Sequence, residues 1–310
     1  MKRILITGAA GFIGMHCLPL LSEKGYEIHA LDKNSCEDSS EATWHCADLL
    51  DQRNVTNLLS EIRPTHLLHF AWFTEHGKYW SSPENMRWVQ ASLSLFQEFA
   101  RFGGERIVVA GTCGEYDWRY GTCTEDLTPL NPTTLYGTCK YALHLMLRAF
   151  ANETGLNATW ARLFFLYGPR EHPDRLVSSV IRSLLQEKPA LCSHGNQIRD
   201  FLYVRDAAAA FVALMDSSFS GTVNIASGMP IAIKDLVLKV ADKLGRANLV
   251  RFGAIHSQEN EPPILVADIN RLTREVGWVP GYDLETGLSH TIEWWKTNIQ
   301  CDIRPRQEKE

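Results

Sequence analysis

Tyr136 and Lys140 stand at i and i+4 in LYGTCKYALHL, so a helix through this segment sets a phenol and an ammonium on one face. An ammonium close to a phenol favours the phenolate and draws its pKa down toward the working range of a general acid or base. Upstream, VVAGTCGEYDW brings Thr112, Cys113 and Glu115 together where an apolar run gives out. A hydroxyl there can share a substrate oxygen with Tyr136. Many helices carry such a tyrosine–lysine pair as surface decoration, so the pair needs context.

A second constellation lies near the N-terminus. In TGAAGFIG the glycines at 8, 11 and 14 fall between a β-branched run, KRILITG, and a helical run, FIGMHCLPLLSEKG. Glycine lets backbone N–H groups approach a ligand, and the positive end of a helix dipole favours a pyrophosphate there. The following run, YEIHALD, ends in Asp32. A carboxylate at that point accepts both hydroxyls of an adenosine ribose and repels a 2'-phosphate, which favours NAD over NADP. Lys33 offsets some of that repulsion and leaves NADP open. Asp48, in CADLLD after the third strand, reaches the adenine amino group or serves as a helix N-cap.

These residues need a scaffold, and strand–helix–strand alternation supplies one. It continues through HLLHFA, ENMRWVQASLSLFQEFARFGG, RIVVAG, LYGTCKYALHLMLRAFANETG and ATWARLFFLYGP. The pattern predicts an α/β fold with a doubly wound parallel sheet covered on both faces. Thr112 then ends the fourth strand, at the carboxyl edge where open sheets bind ligands. After Tyr167–Pro169 the tempo changes to short strands and helices. The expected division is a dinucleotide-binding domain at 1–166, rejoined by 200–226, and a smaller mixed α/β substrate domain at 167–310, with a cleft between them.

Composition narrows the partners. The 310 residues, 45% hydrophobic, can bury a core without disulfides or metals. With 31 Lys+Arg against 36 Asp+Glu and no long run of one sign, neither a nucleic-acid surface nor a membrane patch is expected. A small-molecule partner is. No apolar stretch approaches the roughly 20 residues that span a bilayer, and glycines interrupt the N-terminal run where a signal peptide stays apolar. A cytoplasmic location follows as the expectation. The 8 cysteines show no C-x-x-C and no zinc-ligand spacing, so no metal is expected.

Taken in order, these motifs resemble the extended short-chain dehydrogenase/reductases that act on nucleotide sugars, the NAD-dependent epimerase/dehydratase family, over nearly the whole chain. The resemblance implies a Rossmann sheet whose cofactor is lined by Gly8, Gly11, Phe12, Ile13 and Gly14, then by Asp32, Asp48, Leu49, Ala71 and Asn85. It implies catalysis by Thr112, Tyr136 and Lys140, with Tyr136 and Lys140 also touching the cofactor. RLFFLYGP is similar to the family's R-x-x-N-x-Y-G-P, with Phe165 in place of the asparagine. HGNQIRDFLYVRDAAAAF resembles its Q-x-R-D-F-x-x-V-x-D block, and VGWVP its L-G-W-x-P. Arg199 falls where the family often holds the substrate's nucleotide or diphosphate; an ion pair with Asp200 or Asp206 is the alternative. Arg175 and His172 stand near the diphosphate or form a surface salt link. Trp72, Tyr79 and Trp80 wall the sugar pocket or pack their own loop. Helices around 85–101 and 136–151 imply a homodimer.

Three reactions share this scaffold: 4,6-dehydration, epimerisation, and keto reduction or alcohol oxidation. The dehydratases of the family follow their threonine with an aspartate and a glutamate, where this chain has Cys113 and Gly114. Glu115 comes one position later and points away if the segment is extended, though a bulge would bring it back. Cys113 is read as an inert buried thiol rather than a proton donor. C4 keto reduction and C4 epimerisation remain. The blocks GNQIRDF and GWVPGYDLETGL resemble bacterial 4-ketoreductases of the CDP-abequose synthase and dTDP-6-deoxy-talose 4-dehydrogenase types. Reduction of an NDP-4-keto-6-deoxyhexose is therefore expected. A 4-epimerase with tightly bound NAD is the alternative, ahead of a 4,6-dehydratase or a non-catalytic cofactor-binding scaffold.

Overall fold

Strand β1 (Arg3–Thr7) alternates its side chains between two apolar layers: Ile4 and Ile6 enter one, Leu5 the other. A strand buried on both faces needs neighbours on both edges, and the computed structural model supplies them. It describes residues 2–33, 41–256 and 261–299. On one side of β1 lie β2 (Glu27–Asp32) and β3 (Thr43–Cys46). On the other lie β4 (His66–His69), β5 (Arg106–Thr112), Asn157–Leu163 and Gly221–Ile225. All pairings in this 7-stranded sheet are parallel. Helices α1 (Gly14–Glu23) and α6 (Val204–Asp216) cover one face. The other carries α2 (Gln52–Ile62), α3 (Glu84–Arg101) and α4 (Leu135–Thr154). Between them they leave β5 buried at every position. The predicted doubly wound α/β fold is present.

β1 sends its chain to one face and β4 to the other, and their carboxyl ends open a crevice between them. Gly8 sits at its floor with φ +68°, and a Cβ on it would lie 2.9 Å from the backbone nitrogen of Ala71. Only glycine both adopts that φ without strain and admits so close a neighbour.

A smaller mixed sheet stands beyond the carboxyl edge. Its central strand, Ile198–Tyr203, runs parallel to Phe165–Tyr167 and Ile264–Ala267 and antiparallel to Pro230–Ala232. Thr122–Cys123 adds to its far side. Helix α5 (Leu176–Leu185) and the helices Ile233–Leu244 and Leu284–Asn298 pack a separate core beside it.

Three sequence expectations change. Thr112 ends the fifth strand rather than the fourth, because the short Thr43–Cys46 counts as the third. ATWARLFFLYGP is two strands: the N–H of Phe164 donates to the Ile225 carbonyl at 3.1 Å, and Phe165–Tyr167 then leaves for the second sheet. Thr122–Cys123, within 1–166, and the strand 198–203, which overlaps 200–226, both belong to the second sheet, whereas α6 and Gly221–Ile225 return to the first. Strands of the two sheets thus interleave along the chain.

Beside α5, Glu171 is buried and accepts a hydrogen bond from the Ser178 hydroxyl at 2.8 Å. Burial, opposed by Ser178 and Arg175, pushes its carboxyl up to about 7. Between the ordinary carboxylate value and that point, the folded chain keeps a proton that the unfolded chain releases. This group's contribution therefore weakens folding as pH rises through the window. Thermal unfolding of wild type and Glu171→Gln from pH 4.5 to 7.5 checks this: the variant is expected to lose part of the wild-type decline in Tm. Equal slopes would refute the assignment.

Candidate active site

The turn after β1 is a cradle that a side chain would fill. A Cβ on Gly14 would lie 2.5 Å from the Gly8 carbonyl oxygen, and one on Gly11 at 3.0 Å from the same atom. Ile13 heads α1 without a side-chain cap, and it leans with Phe12 on the core of the second sheet. Asp32 bends back over the turn, accepting the Ala10 N–H at 3.3 Å. This bare backbone, a helix N-terminus and a carboxylate at the next strand end fit a dinucleotide. Asp48 accepts the Leu50 N–H at 2.9 Å and pairs with Lys33 at 2.8 Å, so the lysine expected to soften Asp32 is drawn toward another acid. Leu49 is buried against the α2–α4 layer, and Ala71 donates its N–H to the Thr7 hydroxyl at 3.3 Å. Asn85, expected to line the cofactor, is buried. Its amide accepts from Trp72 Nε1 at 2.8 Å and donates to the carbonyls of Tyr79 and Ser82 at 2.7 and 2.8 Å. It fastens the loop 72–83 from inside.

Thr112 reaches its position through Glu115. The Glu115 carboxylate is fully buried and accepts the Thr112 N–H at 2.9 Å, Trp160 Nε1 at 2.8 Å and Arg162 Nε at 2.8 Å. Arg162 also donates to the Tyr116 hydroxyl at 3.1 Å, and Tyr116 donates to Asn224 at 2.7 Å. The turn 113–115 is helical rather than extended, which is how Glu115 comes to point into the protein. Gly111 leaves the space that Trp160 and Glu115 occupy, since a Cβ there would collide with both. Gly137, inside YGTCK, lets the first turn of α4 press on the Gly114 carbonyl. Thr134 caps that turn, accepting the Gly137 N–H at 3.1 Å. Tyr136 and Thr112 are thereby brought together, hydroxyl facing hydroxyl.

Burial acts on both titrating groups of the pair. Burial, followed by Tyr79, pushes the Tyr136 phenol up, against a smaller opposing effect of Thr112. Lys140 is turned elsewhere: its ammonium donates to the Ala110 carbonyl at 2.9 Å and lies 3.8 Å from the centre of the Trp72 ring. Burial draws it down to about 7, with Glu115 opposing. The ammonium thus has partners of its own beside the phenol. Around Tyr136 stand Tyr79 at 5.0 Å, Trp80 at 5.6 Å and Trp72 at 6.5 Å between ring centres, each near perpendicular. Burial also raises the Cys113 thiol, which keeps it protonated.

Arg199 is buried and forms neither of the ion pairs considered for it. Asp200 binds Ser227 and Gly228, and Asp206 binds the N–H groups of Gly281 and Tyr282. Arg199 pairs with Glu261 at 2.8 Å, and its guanidinium lies 5.5 Å from the ring centre of Phe165. Gln197 donates to the other oxygen of Glu261 at 2.8 Å. Sequence reasoning missed Glu261, an acid far along the chain with no local spacing to mark it. It likewise missed the buried pairing of Glu115 with Arg162, although both letters were in view. Arg175 lies over Tyr79, 5.6 Å from the ring centre, and His172 stacks on His76 at 5.1 Å.

Comparison with known proteins bears on this arrangement. Residues 4–226 match the family described as NAD dependent epimerase/dehydratase family. The UDP-glucuronate 4-epimerase of Thermodesulfobacterium geofontis is 27% identical over 97% of this chain and 98% of its own length. The dTDP-glucose 4,6-dehydratase of Xanthomonas campestris is 25% identical over 96% of this chain and 94% of its own. Among solved structures, the UDP-glucose 4-epimerase of Thermus thermophilus in complex with NAD superposes with a TM-score of 0.83 at 25% identity, covering 95% of this chain and 99% of that one.

The surroundings of Glu115 make a quantitative expectation. Glu115→Gln leaves Arg162 buried without its counter-charge, and breaking such a pair costs about 3–5 kcal/mol. Urea unfolding is expected to show a loss of that order. A variant of unchanged stability with turnover abolished would return Glu115 to the chemistry.

Proposed function

Because the chain belongs to the NAD dependent epimerase/dehydratase family, we propose that it reduces the C4 ketone of an NDP-4-keto-6-deoxyhexose. The observation that carries this reading is the aromatic wall at Tyr136, formed by Tyr79, Trp80 and Trp72, with Phe165 where the family has asparagine. Such a lining favours a sugar whose C6 is a methyl group over one that presents a hydroxyl or carboxylate there.

Thr112, Tyr136 and Lys140 are the proposed catalytic residues. The glycine turn, Asp32, Asp48 and Ala71 would hold the nicotinamide cofactor, whose reduced form would supply the hydride when bound. Tyr136 gives its phenolic proton to the C4 oxygen, and burial keeps that proton on the phenol until it is needed. The Thr112 hydroxyl orients the same oxygen. Lys140 keeps its ammonium beneath the site on Trp72 and the Ala110 carbonyl, where it balances the charge that develops on Tyr136. Dehydration is disfavoured because the nearest carboxylate, Glu115, is already bound by Arg162, Trp160 and the Thr112 backbone.

The first sheet is proposed as the cofactor domain and the second as the cover over the sugar nucleotide, with Arg199 toward the diphosphate. We propose a homodimer through α3 and α4, whose exposed side chains include Met86, Leu145 and Met146. A C4 epimerase is the second reading, favoured by the 27% identity to a UDP-glucuronate 4-epimerase over 97% of the chain.

Purified protein mixed with reduced nicotinamide and a panel of NDP-4-keto-6-deoxyhexoses is expected to consume the two in equal amounts. Interconversion of two nucleotide sugars on retained NAD, with no net consumption, would replace reduction by epimerisation. Tyr136→Phe should lower kcat by about 10²–10⁴, the span of a lost general acid, with cofactor affinity nearly unchanged. Unaltered turnover would remove Tyr136 from the mechanism.

A further inference from the structure

Two loops meet across the mouth of the crevice. One, between β4 and α3, carries Tyr79; the other, ahead of α5, carries Arg175. The Tyr79 hydroxyl faces Arg175, whose guanidinium lies 5.6 Å from the ring centre. Tyr79 is itself buried, and its ring meets that of Tyr136 edge-on, 5.0 Å between centres at 87°. Trp80 holds the same helix start through its carbonyl, which accepts the Tyr136 N–H at 3.1 Å. His76 on His172 ties the two loops a second time.

We infer that Tyr79, anchored by Arg175 from the opposite loop, is a positioning residue that sets the orientation and acidity of the Tyr136 hydroxyl. The inference rests on the proposed proton transfer from Tyr136. An edge-on ring held between Arg175 and Tyr136 stops the Tyr136 ring from turning away from Thr112. Two phenols side by side also oppose each other's ionisation. Tyr136 is faced by Tyr79, Thr112, Cys113 and Glu115, and Tyr79 by Arg175 and Cys113. Around Arg175 stand Glu171, His76, His172 and Asp174. Lys140 holds to Ala110 and Trp72. Arg175 thus acts at the phenols rather than, as the sequence suggested, at the diphosphate.

Tyr79→Phe keeps the ring and removes the hydroxyl; Arg175→Met removes the anchor. Each is expected to lower kcat on the order of 10-fold, a modest part of what general acid catalysis supplies, with KM nearly unchanged. The double variant should be no worse than the poorer single, because the two residues act as one unit. Additive losses, or a rise in KM with kcat preserved, would overturn the inference. A second measurement needs no substrate: fluorotyrosine placed at position 136, whose ring titrates more readily, is followed by its fluorine resonance. In the Tyr79→Phe background this titration should move to lower pH, and an unmoved titration overturns the inference. If no sugar nucleotide is turned over by the wild type, the proposed function fails and the fluorine titration alone decides the role of Tyr79.

Discussion

A carboxylate taken wholly out of water must be matched on every side, and Glu115 imposes that requirement on the centre of this protein. Arg162 neutralises it, Trp160 and the Thr112 backbone complete its hydrogen bonds, and Tyr116 passes the arginine's remaining reach to Asn224. Asn224 in turn donates to the carbonyls of Cys123 and Asp268, on the second sheet's side. The last residue of β5 is therefore held by a network that spans both sheets. A buried ion pair gives little net stability over an apolar replacement. What it supplies here is a fixed backbone turn, because moving Thr112 would strand a charge.

Burial acts on the two titrating partners of the site in opposite senses. It holds the proton on Tyr136 and loosens the one on Lys140, since in each case the neutral form is easier to keep out of water. The aromatic loop fastened by Asn85 produces both effects together. Removing water from the phenol and setting Trp72 beneath the ammonium are one packing event. Burial thus favours the neutral form of both groups.

Local features were legible in the sequence. The glycine turn, Asp32 at its strand end, Thr112 at the edge of the sheet and the tyrosine–lysine spacing each depend on neighbouring residues, and their placement follows from strand and helix geometry. The family, and with it the doubly wound fold, was legible through their order. Direction was harder to read: the sequence brings Lys140 to the face of Tyr136 but does not say that Ala110 and Trp72 bind it. Pairings across long separations left no mark, as with Arg199 and Glu261 or Asn85 and the loop it closes. The break at Phe164 was hidden because both halves of ATWARLFFLYGP favour strand, and only the pairing with Ile225 divides them.

The interleaving of the sheets also orders events during synthesis. The edge strand Gly221–Ile225 and helix α6, which packs against α1 and β5, come from the last third of the chain. A ribosome that has released all the residues of the glycine turn, Thr112 and Tyr136 has released only α1 of the two helices that cover one face of their sheet. The nascent chain therefore carries an exposed apolar layer for most of its translation, and long-range parallel pairing completes it only at the end. A molecule wired in this way depends on what shields that layer in the meantime.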